Sequence, residues 1–144
     1  MADPTLITGA PTAMELIADL IIAKTPGAVL NTDVFMAYTQ DKNGLCRFVL
    51  DAPGGAPQFT MGTAVALEEA VIEVLVQGDP TDYVQARTEM MRLRYLIANQ
   101  GEYTSRGLRM LYAQPGNINS QGRDKRNQEI FSTMFTISLE PSYV

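Results

Sequence analysis

Ile72-Glu73-Val74-Leu75-Val76-Gln77-Gly78-Asp79-Pro80 is the stretch on which the fold turns. Ile72, Val74 and Val76 alternate with Glu73, Leu75 and Gln77, the period of two of a strand whose two faces meet different surroundings. Gly78 stops the run, Asp79 offers a helix cap, and Pro80 suits a first helical position, where its missing N–H costs nothing. A strand is therefore expected to run directly into a helix reaching about Ala98. That helix carries two apolar stripes. Tyr83, Ala86, Met90, Leu93 and Ile97 recur at three-and-four spacing and suit a sheet; Val84, Met91 and Tyr95 form the second, with Arg87 and Arg94 between them. The second stripe is expected to pack on the chain's first helix. The alternative is a second protein, because an exposed Val, Met and Tyr row is unusual on a monomer.

Downstream, Asn99-Gln100-Gly101 ends the helix, and Leu108, Met110 and Tyr112 alternate with Arg109, Leu111 and Ala113 in a further strand. A polar loop from Pro115 to Gln128 follows. The last strand sets Phe131, Thr133, Phe135, Ile137 and Leu139 against Ser132, Met134, Thr136 and Ser138, a pattern for a sheet with one wet or partner-covered face.

Upstream, Thr12 and Glu15 have the spacing of a capping box, and Thr25-Pro26-Gly27 ends the helix they open. Ala13, Met14, Ile17, Leu20 and Ile21 share its apolar face. Ile22 lies on the acidic side, either simply exposed or part of a subunit contact. The β-rich runs Val34 to Thr39 and Leu45 to Leu50 are expected to form a hairpin, with Asn43-Gly44 supplying the positive φ angles of its turn. Asp51-Ala52-Pro53-Gly54-Gly55-Ala56-Pro57 is too rich in glycine and proline for regular structure. Gly54 and Gly55 are read as part of a loop that reaches toward a neighbour, because no Lys-Ser or Lys-Thr follows to hold a phosphate. The sum is an α+β fold: an antiparallel-rich, mixed β-sheet of about four to five strands with two α-helices packed on one face. One domain spans residues 1–144, with 1–11 and 141–144 as extended tails.

Composition narrows the function. With 144 residues and 46% hydrophobic side chains, one core suffices, burying roughly 68–70% of the unfolded surface. The net charge of -5 is unevenly placed: residues 1–78 hold three basic and nine acidic side chains, and 79–144 hold eight and seven. Such a split suits head-to-tail contacts between copies, or opposite charges that meet inside one fold. An acidic chain is a poor sequence-independent DNA binder, since binding requires a basic face to displace counterions. There is no histidine, which removes the commonest metal ligand and general base, and the single Cys46 rules out an intrachain disulfide and a thiolate cluster. Adjacent Glu68 and Glu69 would point to opposite faces of a strand and so cannot converge on a substrate. The inventory argues against catalysis and for no cofactor and no metal. Met1-Ala2-Asp3-Pro4 has no basic region followed by an apolar run, and no stretch has the length of a membrane span, so synthesis and residence in the cytoplasm are expected, with exit only inside an assembly.

Taken in order, these motifs resemble a family. The glycine-rich loop Pro53-Gly54-Gly55-Ala56-Pro57 is followed by Ala66-Leu67-Glu68, then Val71-Ile72-Glu73-Val74-Leu75-Val76-Gln77-Gly78, then Asp82-Tyr83-Val84-Gln85-Ala86-Arg87, and finally Gly122-Arg123-Asp124 before Phe131-Ser132-Thr133-Met134-Phe135. This pattern, covering most of residues 12–139, is similar to the tail-terminator and minor-capsid (tail-to-head joining) proteins of long-tailed bacteriophages. Gln77 departs from it where many relatives place an arginine. The resemblance implies a structural virion protein at the head-tail junction, forming a hexameric ring that caps the tail tube, ends its polymerisation and joins it to the head connector. Its partners would be copies of itself, the tail-tube protein and a head-completion or connector protein, with DNA passing through the lumen without specific binding. Another head-completion adaptor or a tail-tube component is the alternative within the same virion.

The contact candidates are surface groups. Arg123, Asp124, Lys125 and Arg126 concentrate charge in the loop before the last strand, a long polar segment of the kind that carries binding. Arg87 and Arg94, one heptad apart, can engage acidic groups such as Glu68, Glu69 or Glu73 on a neighbouring copy.

Overall fold

The structure, a computed structural model, describes residues 12–36, 44–52, 68–78, 82–123 and 128–140. The order is α1 (Ala13–Lys24), β1 (Val34–Met36), β2 (Cys46–Ala52), β3 (Glu68–Gln77), α2 (Tyr83–Ala98), β4 (Tyr103–Ser105), β5 (Leu108–Pro115), β6 (Asn119–Arg123) and β7 (Glu129–Glu140). The described residues form an α+β fold with two helices on one face of a mixed sheet of seven strands, more than the four to five expected. Strands follow the order β1-β2-β3-β7-β5-β4, and β6 pairs with the free length of β7.

β7 is central: its alternation sets one face toward the core, and its backbone pairs with other strands on both edges. β3 runs antiparallel along one edge, from Glu68 opposite Leu139 to Gln77 opposite Ile130. The other edge is shared: β5 pairs with the C-terminal part of β7 and β6 with its start. Between them the Gly116 N–H donates to the Met134 carbonyl at 2.7 Å, and a Cβ on Gly116 would lie 3.0 Å from that oxygen. A larger residue there would have to push that carbonyl aside.

α1 begins at Thr12, whose hydroxyl accepts from the Glu15 N–H at 3.4 Å. The return bond of the capping box gives way to an ion pair, with the Glu15 carboxylate 2.7 Å from Arg106 Nη1. Leu16, Ile17, Leu20 and Ile21 are buried, and Ile22 packs partly buried against the same core. α2 places Ala86, Met90, Leu93 and Ile97 in that core, together with Ile72, Val74 and Val76 of β3 and Phe131, Phe135 and Ile137 of β7. Its cap is Asp82, which accepts from the Gln85 N–H at 3.2 Å, and not Asp79; residues 79–81 lie outside the described ones. At the strand-to-helix junction a Cβ on Gly78 would sit 2.7 Å from Ala86 Cβ, so this glycine is set by packing.

Four further expectations are corrected. β1 and β2 are parallel, with Val34 opposite Arg47 and Phe35 opposite Phe48, so they are no hairpin. Asn31, at φ 65°, and Thr32-Asp33 turn the chain before β1, and the Arg47 N–H donates to the Asp33 carbonyl at 2.8 Å, which sets that register. Tyr103–Ser105 forms β4, joined to β5 by Arg106 and Gly107, both at positive φ (54° and 82°), the geometry of a two-residue hairpin turn. A register shift between Met110 and Tyr112 reverses the alternation of β5, leaving Tyr112 half exposed and Ala113 buried. Finally, the expected loop from Pro115 to Gln128 contains β6, so at least part of it is sheet.

Opposite the helices, the sheet's far face carries a small second cluster. Phe35 and Phe48 stack with ring centroids 5.5 Å apart, beside Cys46 and Leu75.

Candidate assembly interface

The most unusual surface among the described residues is the outer face of α2. At about 100° per residue, Val84, Met91 and Tyr95 lie nearly opposite the buried Ala86, Met90, Leu93 and Ile97. They are 62%, 52% and 72% exposed. The expectation that this stripe packs on α1 is thus overturned: α1 docks beside α2 through the core, and the stripe faces solvent. Arg87 on the same outer side is exposed and makes no ion pair among the described residues.

Arg94 is used differently. Its Nε donates to the Gly116 carbonyl at 2.8 Å, tying α2 to the joint between β5 and β6. Beside that bond an open groove of about 330 Å³ is lined by Met91, Arg94, Tyr95, Ala98, Asn99 and Ile118. Ile118, an isolated apolar residue in a polar stretch, packs partly buried against the core; its surroundings gave no periodic signal in the sequence. Tyr95 and Met91 belong to both the stripe and the groove, so the apolar surface is continuous.

A second surface lies on the far side of the sheet. Of the six large hydrophobics exposed among the described residues, Val84, Met91 and Tyr95 are on α2, whereas Tyr112 (50%) and Met134 (41%) are on the sheet's far face. Met134 pairs with Glu73 and Ser138 with Glu69, which places both carboxylates on that face, partly exposed. Arg109 shares this side and is held by Glu102 at 2.8 Å and Glu140 at 2.9 Å. The far face is therefore acidic in balance and the α2 face basic.

Other charges are taken up within the fold. Arg106, on the β4–β5 turn, grips Glu15 and Asp19 of α1, so part of the charge split between the two halves meets inside one chain. Buried Arg47 donates from Nε to Glu89 and lies 3.6 Å from Asp33. Glu89 also accepts from Arg92 Nε at 2.6 Å and Nη2 at 2.8 Å, and Arg92 reaches Thr25 Oγ1 at 2.7 Å. Burial alone would raise the Glu89 carboxyl, but hydrogen bonds from Arg92 and Arg47 and their charges outweigh it and hold the carboxyl below its ordinary value. Sequence reading missed this cluster, because its members come from α1, the turn before β1, β2 and α2. The one local sign was a charge, Arg47, inside the apolar run Leu45 to Leu50.

The remaining candidates are dispersed. Arg123 ends β6 opposite Glu129 of β7, and the backbone of Glu68 pairs with Leu139. Gly54, Gly55, Asp124, Lys125 and Arg126 lie outside the described residues. Gln77, the position at which the sequence departs from many tail terminators, is buried, and its Nε2 donates to Gln128 Oε1 at 2.7 Å.

No protein-family model matches the chain, so the tail-terminator resemblance rests on its motif residues. No curated protein matches it either. Among solved structures, the chain shares its fold with a chain from the virion of a native gene transfer agent particle, at a TM-score of 0.51 and 17% identity, over 88% of this chain and 85% of that one.

Proposed function

We propose that this chain is a structural virion protein that caps a tail tube as an oligomeric ring, ends tail polymerisation and joins the tail to the head connector. The observation that carries this reading is the exposed Val84, Met91 and Tyr95 row with Arg87 beside it, an apolar surface of the kind that marks protein–protein contacts. Support comes from the resemblance of its motif order to that of tail terminators and from the fold shared with a virion chain. The role needs no cofactor and no catalytic group; its working parts are surfaces. DNA passes through the ring without specific contact, consistent with a net charge of -5.

A second reading, a tail-tube component, is favoured by one observation: the seven-stranded sheet is larger than the sequence implied, and tube subunits are dominated by β-structure. Particle imaging separates the two. Gold-labelled antibody, or difference density in purified particles, is expected at the head-tail joint only. Label spread along the tail would replace the capping role with the tube role.

A further inference from the structure

The geometry points to a specific contact between copies: the outer face of α2 of one copy lies on the far sheet face of the next, with Arg87 against Glu73. This deepens the ring reading and rests on it. Each described chain exposes an apolar row, Val84, Met91 and Tyr95, on one side and two separate apolar side chains on the other, Met134 beside Glu73 and Tyr112 beside Ser138. The two surfaces are separated by the thickness of a helix layer and a sheet. They therefore cannot meet within one copy. Pairing either face with its own copy would offer no opposite charge, because Arg87 is on the helix side and Glu69 and Glu73 are on the sheet side. Pairing one surface with the other puts apolar side chains together and opposite charges at their border, where complementarity selects the partner and its register.

Dimensions agree. The row from Val84 to Tyr95 is about 16 Å long at the helical rise per residue. β3, β7 and β5, the strands that carry Glu73, Met134 and Tyr112, are hydrogen-bonded neighbours spaced about 4.8 Å apart and so offer a floor wide enough for one helix. The contact is heterologous, because the two surfaces differ and lie on opposite sides of the subunit. Such contacts propagate head to tail and close into a ring when the rotation allows. The occupant is thus a second copy of this chain.

Native mass spectrometry and sedimentation of the full chain test this. Wild type is expected to form closed oligomers. Arg87→Glu and Glu73→Arg should each weaken association by about tenfold or more, the scale of a close charge reversal. Both the double variant and a 1:1 mixture of the single variants should recover it, because every contact again pairs opposite charges. Circular dichroism reports whether each variant folds. As an independent measurement, mixing Met91→Cys with Met134→Cys chains under oxidation should yield a disulfide-linked pair, while buried Cys46 stays reduced. Oligomers that ignore both single reversals, or no cross-linked pair, would overturn this contact and leave the ring reading standing. A wild-type chain that stays monomeric, alone and with tail-tube protein, would overturn both.

Discussion

Glu89 shows what one residue does when three elements converge on it. It is nearly buried on α2 and lies between Arg47 of β2 and Arg92 one turn along its own helix, with Asp33 reaching Arg47 from the other side. Removing one member of a buried ionic group leaves the others without compensation, which costs about 3–5 kcal/mol. Glu89→Gln should therefore lower the urea-derived stability by that order at neutral pH. The sign of the pH dependence follows from the lowered carboxyl of the native state. Stabilisation is fully present above the ordinary glutamate range and declines as pH falls through it toward the native value, where the folded carboxylate also takes up a proton. Between pH 7 and pH 3, roughly the span that brackets glutamate titration, wild type should lose more stability than Glu89→Gln. Equal losses would show that Glu89 contributes nothing to acid sensitivity.

Elements differ in how much of them a linear reading can reach. The core stripe of α2 and the alternation of β7 were legible because a helix or strand repeats within a few residues, and Ala86, Met90, Leu93, Ile97, Phe131, Phe135 and Ile137 are all buried as that repeat requires. The partner of a strand is not a local property. β1 and β2 read as a hairpin because Asn43-Gly44 suits a tight turn, but their parallel register comes from the Asp33 to Arg47 backbone bond and from Phe35 stacking on Phe48. β6 was read as a loop because Asn119-Ser120-Gln121-Gly122 has weak strand propensity, and only the free edge of β7 recruits it. Helix starts lie between these cases: the acidic cap of α2 was expected, three residues too early. Asp82→Ala should therefore cost about 1 kcal/mol and lower the urea midpoint without changing the slope. An unchanged midpoint would mean that another group satisfies the Gln85 N–H.

For the whole molecule, surface and stability separate. Met91 and Tyr95 face outward, so replacing both by serine should leave monomer stability within about 0.5 kcal/mol, as exposed substitutions usually do. Association should weaken by about 30-fold or more, the ~2 kcal/mol that marks a central interface residue. Sedimentation velocity and a thermal melt on the same variant measure the two effects; an unaltered oligomer would remove the α2 face from the assembly. Of the candidate contacts, Arg87 was readable in the sequence as a helix-surface cation, but Arg94 was not readable as a tether, since its acceptor, Gly116, lies 22 positions away. The sequence by itself determined the fold class, the buried stripes and the want of histidine-based chemistry, because these follow from periodicity and residue type. Tertiary structure alone decided the seven-strand order, the buried charge cluster and the placing of a basic apolar face opposite an acidic one, because those depend on which distant segments share an edge or a layer.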